Sequence, residues 1–237
     1  MKHPQPEAIA VLYGGAAFEK PDIVVERVAE PIQRQTAQQM LRVMGEAYQG
    51  EFGSSVPEGT IANHFSTGYE GVTAQVGRVR NSTEQNGATY WLAYEADQGP
   101  DEADLLGLIK VSPSYPHMLA TVRNRPNCYV NDIAVAPDHA RNGLGSMMLH
   151  AALRYGGYRQ DASVVADTYA LQGSGAKFFG ARGFQLLPDT PPPTILHAPQ
   201  GERASLDMER RRAKSLGGLV RQLERSYPQL AGSGVLY

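Results

Sequence analysis

A mixed, mostly antiparallel β-sheet flanked by helices, an α/β fold, is what this sequence predicts, and three observations predict it. A β-branched and aromatic run from Tyr129 to Val135 passes through a glycine-punctuated turn straight into an amphipathic helix. Further strand patterns, Val72 to Val79, Thr89 to Ala96 and Leu105 to Val111, precede it, and the polar turn Asp97 to Asp104 suits antiparallel neighbours. The chain has 237 residues, 42% of them hydrophobic, enough to bury one large core with extensions.

The elements follow in order. Residues 1–22, with Gly14, Gly15 and Pro21, read as a loosely ordered arm in which Ile9 to Tyr13 can add an edge strand. Ile23 to Ala29 reads as a strand. Pro31 opens a helix to about Tyr48, with Ile32, Met40, Val43, Met44 and Ala47 on its buried face. A short helix around Pro57 to Phe65 comes next, then the strands named above. After the strand-turn-helix, Ala162 to Thr168 is a strand and a helix ends near Gly183-Phe184. Residues 184–187 and 194–197 are expected to pair as a last hairpin, bent by the proline tract Pro191 to Pro193.

The C-terminal 199–237 read as a helical extension. Leu206, Ala213, Val220 and Tyr227 are seven apart, as are Leu216, Leu223 and Leu230, which predicts an apolar seam on a helix from Ser205 to Tyr227. Its other face would carry Arg210, Arg211, Arg212, Lys214, Arg221 and Arg225. Such a helix packs on its own domain, joins two copies in a homodimer, or offers its arginines to RNA; a solvated charged face is the commonest use of such a run. Gly217 and Gly218 argue against a long coiled coil.

The turn after Val135 carries the chemistry. Pro137 ends the strand, Gly143 and Gly145 let the backbone curve tightly and a ligand approach, and Leu144, Met147, Met148, Ala151, Ala152 and Tyr155 space a buried helical face. The first amides of a helix have no intrahelical partner and sit at its positive end, which makes an anion site. Ser146 adds a hydroxyl, and Arg141 and Asn142 add side chains at the rim. The same residues also suit a plain βα turn. No Lys followed by Ser or Thr trails a glycine here, so a P-loop is excluded, and the spacing is not the dinucleotide fingerprint.

Val135, Pro137, Gly143 and Gly145 resemble the acetyl-CoA signature of the GNAT superfamily of N-acetyltransferases. A second element lies in the expected order, with Lys177-Phe178-Phe179-Gly180-Ala181-Arg182-Gly183-Phe184 similar to that family's closing motif. The resemblance covers residues 23–198 and is strongest between 127 and 187. It implies a fold with a splayed central strand and acetyl-CoA as cosubstrate. It also implies that Ile133, Ala134 and Val135 contact the pantetheine arm, and that Arg141, Asn142, Gly143, Leu144, Gly145 and Ser146 contact the pyrophosphate. Three positions depart from the pattern: Ala140 replaces an Arg or Gln, Gln172 replaces an Asn that contacts pantetheine, and Phe179 replaces the Tyr that protonates the departing thiolate.

The chemistry implied is direct attack of an amine on the thioester. The Val135 amide is expected to stabilise the oxyanion and Asp132 to act as general base. Tyr129, three residues before Asp132, faces the opposite side of an unbroken strand, and a bulge would change that. Tyr169 and Ser174 are the nearby hydroxyls for the acid role. The acceptor is expected over Ala47 to Thr60, where Glu46, Glu51 and Glu58 suit a cationic amine of a small molecule or peptide. The alternative is a non-catalytic module of the same fold that binds CoA or a protein.

Composition narrows the classes. A net charge of −2 gives no global pull toward nucleic acid or anionic membranes, and no apolar run approaches the ~20 residues of a membrane span. The single Cys128 cannot make an intramolecular disulfide and reads as a quiet buried thiol. His64, His139 and His150 have no metal-ligand spacing, so no metal is expected. The Met-Lys-His-Pro-Gln-Pro start lacks a signal segment, and a cytoplasmic protein is expected.

Overall fold

The computed structural model describes residues 9–14, 22–28, 32–65, 88–97, 104–113, 127–169, 173–188, 191, 193–213 and 215–236. Within them, strands β1 (Ala10–Tyr13), β2 (Ile23–Arg27), β3 (Thr89–Glu95), β4 (Gly107–Ser112), β5 (Asn127–Val135), β6 (Ser163–Tyr169), β7 (Gln185–Leu186), β10 (Met208–Ala213) and β11 (Gly234–Leu236) form one sheet. Its order is β11-β1-β2-β3-β4-β5-β6-β10-β7. Every pairing is antiparallel except β5 with β6. The strand expected at Val72 to Val79, most of the 1–22 arm and Gln172 lie outside the described residues.

Helices α1 (Arg34–Phe52), α2 (Thr60–Phe65), α3 (Leu144–Tyr155), α4 (Ser174–Gly180) and α5 (Leu216–Ser226) cover the sheet. Met40, Val43 and Met44 of α1 pack with Tyr90, Leu92, Leu108 and Ala134 on one face. Met148, Leu149 and Leu153 of α3, with Val220 and Leu223 of α5, pack on the other with Trp91, Ile109, Val130 and Val164. The alternation of these strand residues between two clusters is the period-2 pattern of a sheet buried on both faces. The first helix begins at Arg34, after Gln33, and runs a turn past Tyr48 to Phe52.

Three expectations are corrected. Ala10–Tyr13 is an interior strand, because Gly234–Leu236 returns to cover its outer side. Residues 185–186 and 194–197 do not pair with each other. Gln185 and Leu186 pair with Arg212 and Arg211 of β10, while β8 (Thr194–His197) pairs with β9 (Arg203–Leu206). A tight turn joins that hairpin: Gly201 donates to the Ala198 carbonyl at 3.0 Å, with Pro199 second and Gly201 at φ +88°.

The third correction is the largest: Ser205 and Leu206 end β9, residues 208–213 are β10, and the C-terminal helix starts only at Leu216. The seven-residue spacing of Leu206 and Ala213 with Val220 and Tyr227 is therefore coincidence across three elements. Arg210 is not a solvated helix residue. It is 3% exposed and donates through Nε and Nη2 to the two carboxylate oxygens of Asp167, directly opposite on β6, at 2.8 and 2.9 Å. A fork that meets a carboxylate this way satisfies a buried charge that the charge-pattern reading assigned to water. The helix that remains begins with a true cap, Ser215 Oγ accepting from the Gly218 amide at 3.1 Å.

The two ends of the chain meet on α3. His150 is 1% exposed, with Nδ1 2.9 Å from the Tyr13 hydroxyl and Nε2 3.3 Å from Glu224 of α5. Burial lowers its pKa from 6.5, with Arg154 acting in the same direction and Glu224 opposing both. As pH falls through 6.5 the unfolded chain takes up the proton before the native one, so the native state loses stability there. The melting temperature should accordingly fall as pH is lowered through 6.5, and the drop should be smaller in His150→Gln; an equal drop would show that His150 is not its source.

Candidate active site

β5 and β6 pair only over Asn127–Val130 and Ser163–Ala166. Beyond Val130 they part: β5 continues along β4 to Val135, and β6 continues along β10 to Tyr169. This opens a wedge inside the sheet. Ala136 donates to the Leu106 carbonyl at 2.8 Å. By the alternation of an antiparallel ladder, the N–H and C=O groups of Ile133 and Val135 then face away from β4 into the wedge, and those of Ala134 face Leu108. Ala134 thus turns its side chain to the α1 cluster and its backbone to the ladder.

The register shifts between Lys110 and Val111: Lys110 lies opposite Asp132 and Val111 opposite Val130, so Asn131 is the extra residue of a bulge. The Ser112 hydroxyl donates to Asn131 Oδ1 at 3.0 Å and fastens it. The bulge has a consequence for faces. Tyr129 lies opposite Ser112 and Asp132 opposite Lys110, and Ser112 and Lys110 share a face, so Tyr129 and Asp132 share it too. Tyr129 is the phenol that a straight-strand reading puts on the wrong side, and only the bulge reveals it.

Asp132 is half-buried on the α1 face of the sheet. Burial raises its carboxyl above the ordinary 3.8, and the Lys110 ammonium partly offsets this. Lys110 in turn is pushed down by burial and sits 5.3 Å from the centroid of the Tyr90 ring. Asp167, the other carboxylate at the wedge, is already neutralised by Arg210. Of the two carboxylates, Asp132 is the one whose proton affinity burial raises.

At the C-terminal end of β5, Pro137–His139 forms one 3-10 turn and the chain enters α3 through Arg141 at φ +65° and Gly143 at φ +83°. Ser146 and Met147 both donate to the Gly143 carbonyl, at 2.8 and 3.1 Å. The amides of Leu144 and Gly145 have no helical acceptor behind them and point out of the helix start. A Cβ on Gly145 would stand 3.0 Å from the Phe178 ring and 3.7 Å from Ile133, so glycine here lets the loop close onto α4 and β5, with the open amides of Leu144 and Gly145 as the cradle above them. Arg141 and Asn142 are exposed at its rim.

Other expected residues fall differently. Ser146 is 1% exposed, and its hydroxyl accepts from Arg182 instead of pointing from the loop. Ser174, at the start of α4, donates to the Glu51 carboxylate, which ties the end of α1 to the wedge. Tyr169 closes β6 opposite Met208. Phe179 is 2% exposed and packs on Phe184 at 4.9 Å between centroids, deep in the α3 face. Cys128 is fully buried, and burial drives its thiol far above 9.0, which leaves it protonated and inert. Among the described residues no three His, Cys, Asp or Glu converge, and no helix is long and apolar enough to cross a membrane.

The sequence and the fold have counterparts among known proteins. The model of the acetyltransferase (GNAT) family matches residues 60–184. Among solved structures, FdhC, described as a nucleotide-linked sugar GNAT in its apo form, shares 10% identity at a TM-score of 0.55, over 87% of this chain and 94% of its own. The PaiA N-acetyltransferase from Thermoplasma acidophilum, solved with coenzyme A, shares 12% identity at a TM-score of 0.50, over 80% of this chain and 99% of its own. At such identities the likeness is one of fold. No curated protein matches the chain significantly.

The cradle makes a direct prediction. Gly143→Val must force a branched residue into the left-handed region, at a cost of about 1–2 kcal/mol, and Gly145→Val must displace Phe178. Both should weaken acetyl-CoA binding at least tenfold by calorimetry while Gly234→Ala, with nothing within 4 Å at its Cβ, should not; equal affinities would remove the loop from the site.

Proposed function

The chain belongs to the GNAT acetyltransferase family, and from that premise we propose that it moves the acetyl group of acetyl-CoA directly onto a primary amine of a small molecule or peptide. Both substrates are held together in a ternary complex. The observation that carries this reading is the wedge between β5 and β6, which presents backbone groups of Ile133 and Val135 that no described strand pairs, beside the half-buried Asp132.

The residues present fit the acyl donor. The amides at Leu144 and Gly145 suit its pyrophosphate, Arg141 and Asn142 its outer face, and the wedge edge of Ile133 and Val135 its pantetheine amides. Bound there, acetyl-CoA supplies an activated thioester carbonyl. The Val135 amide, fixed in the ladder and facing the wedge, donates to the oxygen where negative charge gathers. Asp132 takes the proton of the incoming ammonium, directly or through one water, so that the amine attacks with its lone pair. The proton that the leaving sulfur requires comes from a hydroxyl other than the Phe179 position. Tyr169 at the end of β6 is the candidate from the sequence, and Tyr129 joins it by sharing the Asp132 face.

The acceptor side is lined by the end of α1, where Glu51 lies against Ser174, with α2 and the β8–β9 hairpin packed below through Phe52, Ile61, Leu196 and Leu206. A carboxylate at this mouth favours a cationic acceptor. The same architecture with no turnover would make the chain a CoA-binding module, a reading that the buried Phe179 favours by removing a phenol from the site.

Free-thiol release across a panel of amines, with purified protein and acetyl-CoA, separates the two. Transfer predicts release above background with at least one amine; none across the panel favours the module. Asp132→Asn should then lower kcat by about 10² or more. Because burial raises the carboxyl above 3.8, kcat/KM should climb with pH through that raised value in the native enzyme, and this limb should vanish in the variant. An unchanged limb would move the base elsewhere.

A further inference from the structure

Arg182 stands in the turn after α4, and its guanidinium meets four groups from three elements. Nη1 donates to the Phe178 carbonyl at 2.6 Å, and the guanidinium carbon lies 3.7 Å above the centroid of the Phe178 ring. Nη2 donates to the buried Ser146 hydroxyl in the first turn of α3 and lies 3.4 Å from the Tyr227 hydroxyl, just past α5. The Phe178 ring on which it stacks is the one 3.0 Å from the Cβ position of Gly145. Both supports of the anion cradle, the Ser146 turn and the Phe178 wall, therefore rest on one side chain.

Its charge is the second observation. An arginine stays ionised at any physiological pH, and a partly buried cation is stabilised by a counter-ion. Among the described residues no carboxylate lies within 4.0 Å of Arg182, in contrast to Arg210, Arg211 and Arg159, which each hold one. Its contacts are a carbonyl, two hydroxyls and a ring, all neutral. A cation placed under a helix start whose first amides open outward has its compensating charge on the far side of that loop.

We propose that Arg182 is a positioning residue of the acyl-donor site: it props the Ser146 turn and the Phe178 wall, its counter-charge is the bound diphosphate, and Tyr227 makes the C-terminal helix part of this support. The inference rests on the reading that the cradle binds CoA. It gives the segment after Ala213 a task within the site, since Tyr227 is held by the last turn of α5, its amide donating to the Leu223 carbonyl at 2.8 Å.

The test is calorimetric titration of CoA into the full-length wild type, Arg182→Met, Arg182→Lys and Tyr227→Phe at low and high salt, with the melting temperature of each ligand-free protein. Arg182→Met should bind about 10- to 30-fold more weakly, roughly 1.4–2 kcal/mol. Arg182→Lys, which keeps the charge, should recover most of that loss, and Tyr227→Phe should lose about two- to fourfold. The affinity of Arg182→Met should also fall less steeply with salt than that of the wild type, a change that a purely structural prop would not produce. Arg182→Met within twofold of wild type, or Arg182→Lys as weak as Arg182→Met, overturns the proposal. Should Arg182→Met fail to fold, Arg182→Lys and Tyr227→Phe decide it, and wild-type affinity in both overturns it. A wild type that does not bind CoA overturns the cradle reading itself.

Discussion

The parting of β5 from β6 after Val130 is the constraint on which the rest of the molecule depends. Two parallel strands in the middle of a sheet ordinarily stay paired, because each unpaired backbone group there loses a hydrogen bond worth about 1 kcal/mol net and pays to leave water. Here each strand keeps one partner throughout the divergence, β4 for β5 to Val135 and β10 for β6 to Tyr169, so both can part without fraying. The bulge at Asn131, held by Ser112, bends β5 on one side of the opening. On the other side the buried Arg210–Asp167 fork ties β6 to β10 at the first residue beyond the last β5–β6 pair. Breaking such a pair by removing one partner costs about 3–5 kcal/mol, so the divergence is built into the core.

A wedge of this kind leaves main-chain donors and acceptors that an extended, amide-bearing ligand can satisfy in order. The loop at its end adds what such a ligand needs if it carries phosphates: two turn positions with positive φ, a helix start with open amides, and a glycine, Gly145, that lets the loop close onto α4 and β5. The charge arrangement agrees with this direction. Asp167 is silenced by Arg210, Asp132 keeps a raised pKa, and Arg182 keeps a positive charge under the loop without an acidic partner among the described residues. The loop end of the cleft thus carries a positive group and the α1 end a carboxylate, Glu51, which accepts from Ser174.

Much of this was readable from the residues, for definite reasons. The strand from Tyr129, the turn glycines and the three-and-four spacing of Leu144, Met147, Met148 and Ala151 are local signals, and they placed β5, the loop and α3 to within two residues. What failed was non-local. Met208 to Ala213 is polar enough to read as a helix surface, because nothing in the run MERRRA says that Asp167, forty-three residues earlier, will neutralise Arg210 inside a sheet. The covering of β1 by Gly234–Leu236 joins the two ends of the described chain and leaves no periodic trace. Tyr129 changed faces through a one-residue bulge, which a period-2 argument cannot foresee. Ser146 was expected to face the ligand, and it turned inward because Arg182 waits beneath it.

The claim at the centre is that the divided strands and the loop together hold the acyl donor. Amide chemical shifts measured during titration with acetyl-CoA test it residue by residue. Saturable shifts are expected at Ile133, Val135, Gly143, Leu144 and Gly145, and little change at the distant pair Val11 and Val25. Saturable binding whose shifts avoid the wedge and the loop would contradict it, as would no binding at millimolar acetyl-CoA.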